Sequence, residues 1–372
     1  MVNITVVGGG NGAFATASHL SLEGHRVVLF EHPFFFKGLE EVLDRGAIEV
    51  TTLPSSNLKQ GLAILKEVTS DPGKALSEAE IVFVVVPAFA QKEMAILCAP
   101  YIRDKQVFVL CPGNFGGSVE FRQVLKRINP SKEIYVGETE SLMYACRKTG
   151  NSSIFIRGYK HSLGFSCFPA MNNKNIYQLL QKFYPYLILR KNVLETGLSN
   201  TNTLIHVPIM LFNLSNIDNQ LDMRFYHEAF TESIGTIVKV MDQERMQINK
   251  SGIVNLLSIE ELLNSWYGYQ GIGERDSACK MCKRNPIYRE SKMPTSINHR
   301  YLSEDIPFGL IPMINLLDRF GYDSGVSKAV AKMASILLGE EVVSKARDLK
   351  ALGVGFENEE QLKGFLLNGE GA

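Results

Sequence analysis

The chain has 372 residues, which at roughly 150 residues per domain points to two domains and leaves room for a sizeable core. Hydrophobic residues make up 45% and charged residues 21%, near globular averages, so disorder, collagen and coiled coil are excluded on composition. Lysine plus arginine and aspartate plus glutamate number 39 each; no net positive field marks a nucleic acid or an anionic membrane as partner, and a small molecule is the expected ligand.

The longest apolar runs, such as Ile81 to Pro87, are far shorter than the roughly 20 residues of a spanning helix. The N-terminus has no basic segment followed by an apolar one, so the chain reads as cytoplasmic. Its six cysteines are sparse, and four of them stand in apolar or strand-like surroundings where free thiols pack as small hydrophobes. No disulfide framework is expected.

Residues 3–7, NITVV, read as a strand, GGGNGAFATASHLSLEGH as a glycine turn running into a helix that Gly24 stops, and RVVLF as a second strand. A G-x-G-x-x-G/A match carries weight only in this strand–turn–helix–strand setting. Gly8 suits the tight turn, Gly10 lets backbone amides approach a pyrophosphate, Asn11 and Gly12 open the helix, and Ala13 allows it to pack closely on the strand. These five residues are the expected dinucleotide cradle, with the helix dipole attracting the phosphates. Glu31, roughly 20 residues on, would bind the adenosine ribose hydroxyls and repel a 2′-phosphate. That favours NAD, with NADP as the alternative because His32 and Lys37 stand nearby. A solvated strand-end carboxylate is the plain alternative for Glu31.

Further strands are expected at 81–86, 107–110, 133–136, 153–156 and 163–167, giving a doubly wound sheet of the Rossmann type. Ligands bind beyond the C-terminal ends of such strands, here Pro87-Ala88 and Cys111-Pro112-Gly113-Asn114. After residue 190 the texture turns helical, with periodicities at 203–217, 225–249, 258–266, 307–320 and 326–338. The expected fold class is therefore α/β, a Rossmann-type domain over 1–195 followed by an all-helical substrate domain over 196–372. Residues 271–299 are polar and rich in turn formers and are expected to form an excursion near the site.

Two segments of the second half carry candidate chemistry. In SNTNTLIHVPIMLFN, His206 stands in an apolar run with Asn200, Thr201 and Asn202 at its start and Pro208 behind it. A proline inside a helix removes a hydrogen bond and bends it. A buried, satisfied core histidine fits the residues as well. In NHRYLSEDIPFGLIPM, Asp305 precedes Ile306-Pro307, where it reads equally as a helix cap.

Six stretches in chain order, VVGGGNGAFATASHLSLEGH, VVVPA, CPGNFGGSVEFR, GETESLMYACR, SNTNTLIHVPIMLFN and HRYLSEDIPFGLIPM, resemble the opine dehydrogenase family, the octopine and nopaline dehydrogenases. The patterns GETxSxxYxCR, NxNxxxH and RYxxED are more specific than the glycine turn. The resemblance implies NAD(P)H-dependent reductive condensation of an α-keto acid, pyruvate above others, with the amino group of an amino acid through an imine, and the reverse oxidation. It assigns His206 as proton donor and acceptor, Asp305 as the residue that orients it, and Arg300 as a pyrophosphate contact. By similar placement Asn114, Glu140 and Ser141 lie beside the keto acid or amine. From the sheet crevice itself the Pro87 loop is expected to border the nicotinamide, plain strand termination being the alternative, and Arg147, Arg300 and Asn202 are candidates for holding a substrate carboxylate. No metal is implied, and oligomeric state stays open, a homodimer included. The pair Cys279 and Cys282 is no family feature, and one C-x-x-C without a second pair is a poor zinc site.

Two rival readings stand beside this one. Ketopantoate reductases share the two-domain plan but use a lysine of the helical domain, and no lysine occurs between Lys191 and Lys239. A noncatalytic NAD-binding sensor would keep the fold without the chemistry.

Overall fold

Stretches of β-branched and aromatic residues that bury on both faces form the strands of the first half, as parallel strands covered by helices do. The computed structural model describes residues 1–273 and 276–369 and divides into two compact units, one of residues 1–113 and 117–189, the other of 114–116 and residues from 190 on.

In the first unit β1 (Asn3–Val7), β2 (Arg26–Phe30), β3 (Ala47–Thr52), β4 (Gly61–Ile64), β5 (Glu67–Thr69), β6 (Ile81–Val84), β7 (Gln106–Leu110), β8 (Ile134–Thr139), β9 (Tyr144–Gly150), β10 (Ser153–Tyr159), β11 (Leu163–Phe168) and β12 (Leu187–Leu189) follow in order. Eight of them form one sheet, in the order β12-β11-β8-β7-β6-β1-β2-β5. β1 pairs in parallel with β2 on one side and β6 on the other, so the strand order reverses at β1/β6. The chain after β1 emerges at this switch point, where a Rossmann-type sheet binds its ligand. Val7, Phe30, Val84, Phe108, Leu110 and Val136 are buried in the core beneath the helices.

Two details depart from the expected sheet. The stretch 153–156 belongs to a separate four-stranded sheet, β4-β3-β10-β9, whose first strands, AIEVTT and GLAI, alternate too weakly between apolar and polar to announce themselves. β11 pairs with β8 antiparallel, a reversal that periodicity cannot show because both directions bury the same faces.

Among the described residues of the second unit no strand forms, and an isolated bridge joins Arg224 to Lys292. The expected helices are interrupted rather than continuous. The His206 helix runs over Asn202–Leu211, through Pro208, and a separate short helix covers Leu214–Asp218. The stretch 225–249 opens with a π-helical turn, Phe225–Ala229, before the Glu232–Met246 helix that Thr231 caps. A second π turn, Ile306–Leu310, precedes the Ile311–Arg319 helix. Of the polar stretch 271–299, Glu274 and Arg275 lie outside the described residues; a helix at Ala278–Arg284 buries Cys279 and Cys282.

Buried polar pairs tie these helices together. Asp242 accepts from Arg245 Nε at 2.8 Å and Nη2 at 2.6 Å, and Arg245 donates to the Leu198 carbonyl at 3.1 Å. Glu244 accepts from the Val326 and Ser327 amides at 2.7 and 2.9 Å, a carboxylate at a helix start where the dipole favours it.

Candidate active site

The first unit presents the glycine turn. Gly8 has φ +121°, its N–H donates to the Phe30 carbonyl at 2.8 Å, and a Cβ there would stand 2.5 Å from the Val85 carbonyl oxygen. Only glycine fits. Nothing lies within 4 Å of where a Gly10 Cβ would be. The first intrahelical bond runs from Phe14 N–H to Gly10 C=O at 3.0 Å, and no side chain caps the helix. The amides of Asn11, Gly12 and Ala13 therefore precede the ladder at an open helix start, as a pyrophosphate requires. Gly12 packs against Leu142 and Ala13 is fully buried, the close packing expected there. These residues fit a bound dinucleotide.

Asn11 does more than open the helix: its Oδ1 accepts from the Lys148 backbone N–H at 2.8 Å and fastens β9 to the turn. Lys148, which sequence reasoning did not single out, sets its ammonium 3.8 Å over the Phe14 ring and 3.5 Å from the Gly9 carbonyl. Glu31 leans over Gly9, and its Oε1 accepts from the His32 N–H at 2.7 Å. Burial raises the Glu31 carboxyl above its ordinary range, opposed by the His32 and Gly9 amides and by the His32 and Lys148 charges. Burial likewise lowers Lys148, opposed by Glu31. Glu31 is half-buried, not a fully solvated strand-end carboxylate.

Pro87 starts the Ala88–Cys98 helix at the β6 edge. Glu140 and Ser141 are buried behind β8, with the Glu140 N–H on the Gly164 carbonyl at 3.0 Å and the Ser141 carbonyl accepting from Thr139 Oγ1 at 2.8 Å. Arg147 is exposed on β9.

In the second unit His206 and Asp305, 99 residues apart, meet: Nδ1 lies 2.8 Å from Asp305 Oδ2, and both side chains are buried. Thr203, one turn before the histidine, donates its hydroxyl to the Asp305 carbonyl at 3.1 Å. A Cβ on Gly309 would overlap that hydroxyl, so the glycine lets the Ile306–Leu310 turn close on the histidine helix. Asp305 makes no side-chain cap bond to this turn; its carboxylate is spent on the histidine. Because a carboxylate only accepts, Nδ1 carries hydrogen and Nε2 is the ring's other nitrogen edge.

Two tyrosines complete this surround, and sequence reasoning missed both roles. Tyr226, in the Phe225–Ala229 π turn, places its hydroxyl 2.8 Å from Nε2. Tyr301 stacks on the imidazole with ring centres 3.9 Å apart. Tyr301 lies inside the RYxxED pattern and could have been flagged; a π turn leaves no periodic signal from which Tyr226 could be found.

Beside the pair runs a polar chain. Asn200 Nδ2 donates to Asn114 Oδ1, and Asn114 Nδ2 donates to Glu304 Oε1 at 3.3 Å. Glu304 Oε2 stands 3.6 Å from Arg300 Nε, and the Asn202 N–H donates to Asn200 Oδ1 at 3.1 Å. Asn114, Asn202 and Arg300 thus gather on one network, with Asn114 engaged at both ends of its amide. All six cysteines are free; the Cys279 thiol, pushed up to about 11 by burial, donates to the Phe230 carbonyl at 3.0 Å. No group of three or more His, Cys, Asp or Glu suited to a metal occurs among the described residues, nor any helix long and apolar enough to cross a membrane.

Two families of known proteins match separate parts of the chain. Residues 189–338 match the family of the NAD/NADP octopine/nopaline dehydrogenase alpha-helical domain, and residues 3–134 that of the NAD-dependent glycerol-3-phosphate dehydrogenase N-terminus. An opine dehydrogenase of Arthrobacter sp. (strain 1C) is 30% identical over 349 residues, 94% of each chain. A solved octopine dehydrogenase bound to NADH and agmatine superposes with a TM-score of 0.80 at 21% identity, covering 100% of this chain and 98% of that one. A ketopantoate reductase of Ralstonia eutropha reaches a TM-score of 0.60 at 13% identity, covering 90% and 98%; that likeness is one of fold.

Proposed function

Since the chain belongs to the opine dehydrogenase family, an NAD(P)-dependent oxidoreductase acting on CH–NH bonds, we propose that His206 is its proton donor and acceptor and that Asp305 orients it. The reaction condenses an α-keto acid with the amino group of an amino acid, expelling the keto oxygen as water, and NAD(P)H supplies the hydride that reduces the imine carbon. The amides at the start of the Asn11–Leu22 helix hold the pyrophosphate, and Glu31 takes the ribose hydroxyls, which favours NAD over NADP. His206 gives a proton from Nε2 in the reductive direction and takes one back in the oxidative direction, while Asp305 keeps hydrogen on Nδ1.

The observation that carries this reading is the buried 2.8 Å contact between His206 and Asp305, made across two segments that share no local sequence reason to meet. A satisfied core histidine would need only any hydrogen-bond partner; here a carboxylate is spent on one nitrogen and a hydroxyl on the other. The same pair disfavours a noncatalytic sensor, and the lysine a ketopantoate reductase needs is missing from 192–238. Pyruvate is the proposed keto acid, supported by a solved octopine dehydrogenase complex containing it. Asn114, Asn202, Glu140 and Ser141 are proposed to border the substrates, Pro87 the nicotinamide, and Arg300 the pyrophosphate.

The test is His206→Ala with kcat and NADH affinity measured on the same preparation. General acid–base catalysis contributes about 10²–10⁴-fold, so kcat falls by that factor while NADH binding, the work of the glycine turn, is retained. Near-native kcat in the folded variant would remove His206 from the mechanism.

A further inference from the structure

Once Nδ1 is committed to Asp305, a buried imidazole that changes charge has a difficulty at its other edge. Neutral, Nε2 presents a lone pair and needs a donor; protonated, it presents N–H and needs an acceptor. Burial makes an orphaned group costly in either state, and more so when it is charged. A carboxylate or carbonyl would serve only the second state, an amide N–H or ammonium only the first. A hydroxyl serves both.

The Tyr226 hydroxyl occupies that position, 2.8 Å from Nε2. Its ring is held: it stacks on Tyr288 at 4.3 Å and 18°, and meets Phe225 edge-on at 4.9 Å. Burial pushes its phenol well above the ordinary range, so it keeps its proton. Tyr301 stacks on the face of the imidazole at 3.9 Å, and Phe225 meets the ring edge-on at 5.5 Å. The ring is therefore fixed at both nitrogens and on its face. The titratable and charged groups around it are Asp305, Tyr226 and Tyr301, with Glu304 and Arg300 next along the same segment. Tyr226 and Asp305 both come from chain next to or within π turns, irregular helix of the kind found at functional sites.

We propose that Tyr226 is a further positioning residue of the dehydrogenase reaction, its hydroxyl partnering Nε2 of His206 in both protonation states so that the buried ring can change charge without turning. This rests on the reading of His206 as the proton carrier. Tyr226 acts through His206 and needs no contact with substrate. Until substrate takes over the Nε2 edge, the hydroxyl keeps it aimed and satisfied.

Four proteins test it: the native chain, Tyr226→Phe, His206→Ala and the double variant, each checked for native melting and NADH binding. Tyr226→Phe keeps the stacked ring and removes only the oxygen. Loss of a partner to a charged group is expected to lower kcat/KM about tenfold. Because an orphaned Nε2–H costs more than an orphaned lone pair, the imidazolium is the state disfavoured. The pH above which reductive kcat/KM declines, a property of the free enzyme, therefore moves down by about half to one pH unit. In the His206→Ala background the same substitution changes nothing further, since the residue it acts through is gone. Equal fractional losses in both backgrounds, or an unmoved pH profile, overturn the proposal and leave Tyr226 a packing residue. Near-native kcat in His206→Ala alone overturns the reading beneath it, and that outcome is visible without Tyr226→Phe.

Discussion

The two units hold their functional residues in opposite ways. In the sheet unit Gly8, Gly10 and Glu31 follow one another along a single strand–turn–helix–strand passage, and what they offer a ligand is largely backbone: helix-start amides beside an uncluttered glycine. In the helical unit His206, Tyr226 and Asp305 arrive from three separated segments and meet through side chains alone. A backbone site follows from chain geometry over one turn and tolerates drift elsewhere. A side-chain constellation exists only while the packing around it holds, so its members are exposed to faults far from the chemistry.

That contrast can be broken or sharpened by substitution. The largest stability effect is expected in the helical unit, at Asp242→Ala, which leaves the buried Arg245 guanidinium without its carboxylate. Removing one partner of a buried ion pair costs about 3–5 kcal/mol. Trp266 is the single tryptophan of the chain and is buried among the helices, so urea unfolding followed by its fluorescence reads this loss directly. A loss under about 1 kcal/mol would mean that the Leu198 and Leu257 carbonyls, which accept from Arg245 at 3.1 and 2.5 Å, satisfy it unaided.

A smaller effect is expected in the sheet unit, on acidification. Burial lowers His19 to about 4, with Lys59 and His25 adding to burial and Glu23 opposing it. The folded chain therefore holds this proton less tightly than the unfolded chain does. Its contribution is complete above the unfolded value near 6.5 and is lost as pH falls from there toward about 4, about 3 kcal/mol in all. His19→Gln should flatten that part of the curve of unfolding free energy against pH. An unchanged slope would place the acid sensitivity elsewhere.

The smallest effect is one of cofactor choice. Glu31→Ala removes the carboxylate proposed to repel a 2′-phosphate and leaves Lys148 beside the glycine turn. The preference of kcat/KM for NADH over NADPH is expected to narrow about tenfold, with turnover otherwise retained because the His206–Asp305 pair is untouched. A native preference for NADPH would contradict the role given to Glu31.

Much of the fold is legible because burial writes itself into composition. RVVLF, IVFV and QVFVL are apolar on both faces, as strands between helix layers must be. AIEVTT and GLAI, in the smaller sheet, carry a mixed pattern, and Lys148 went unnoticed because the strand that delivers it to the turn was not placed there. In the helical half periodicity located the helices but not their interruptions. The break at 306–310 closes against Thr203 of the histidine helix, and the one at 225–229 brings Tyr226 to His206.

The sequence by itself determined that a glycine turn would open a helix at the end of a buried parallel strand, because backbone conformation and one-dimensional patterning decide that within a few residues. It also supplied His206 and Asp305 as candidates, each with an ordinary alternative, a core histidine and a helix cap. Only the tertiary structure shows that the two meet, with the carboxylate spent on Nδ1 instead of on the turn it precedes. It alone brought Tyr226 to Nε2, since a contact between residues 20 positions apart across a π turn is fixed by the shape of the packed helices and not by any spacing along the chain.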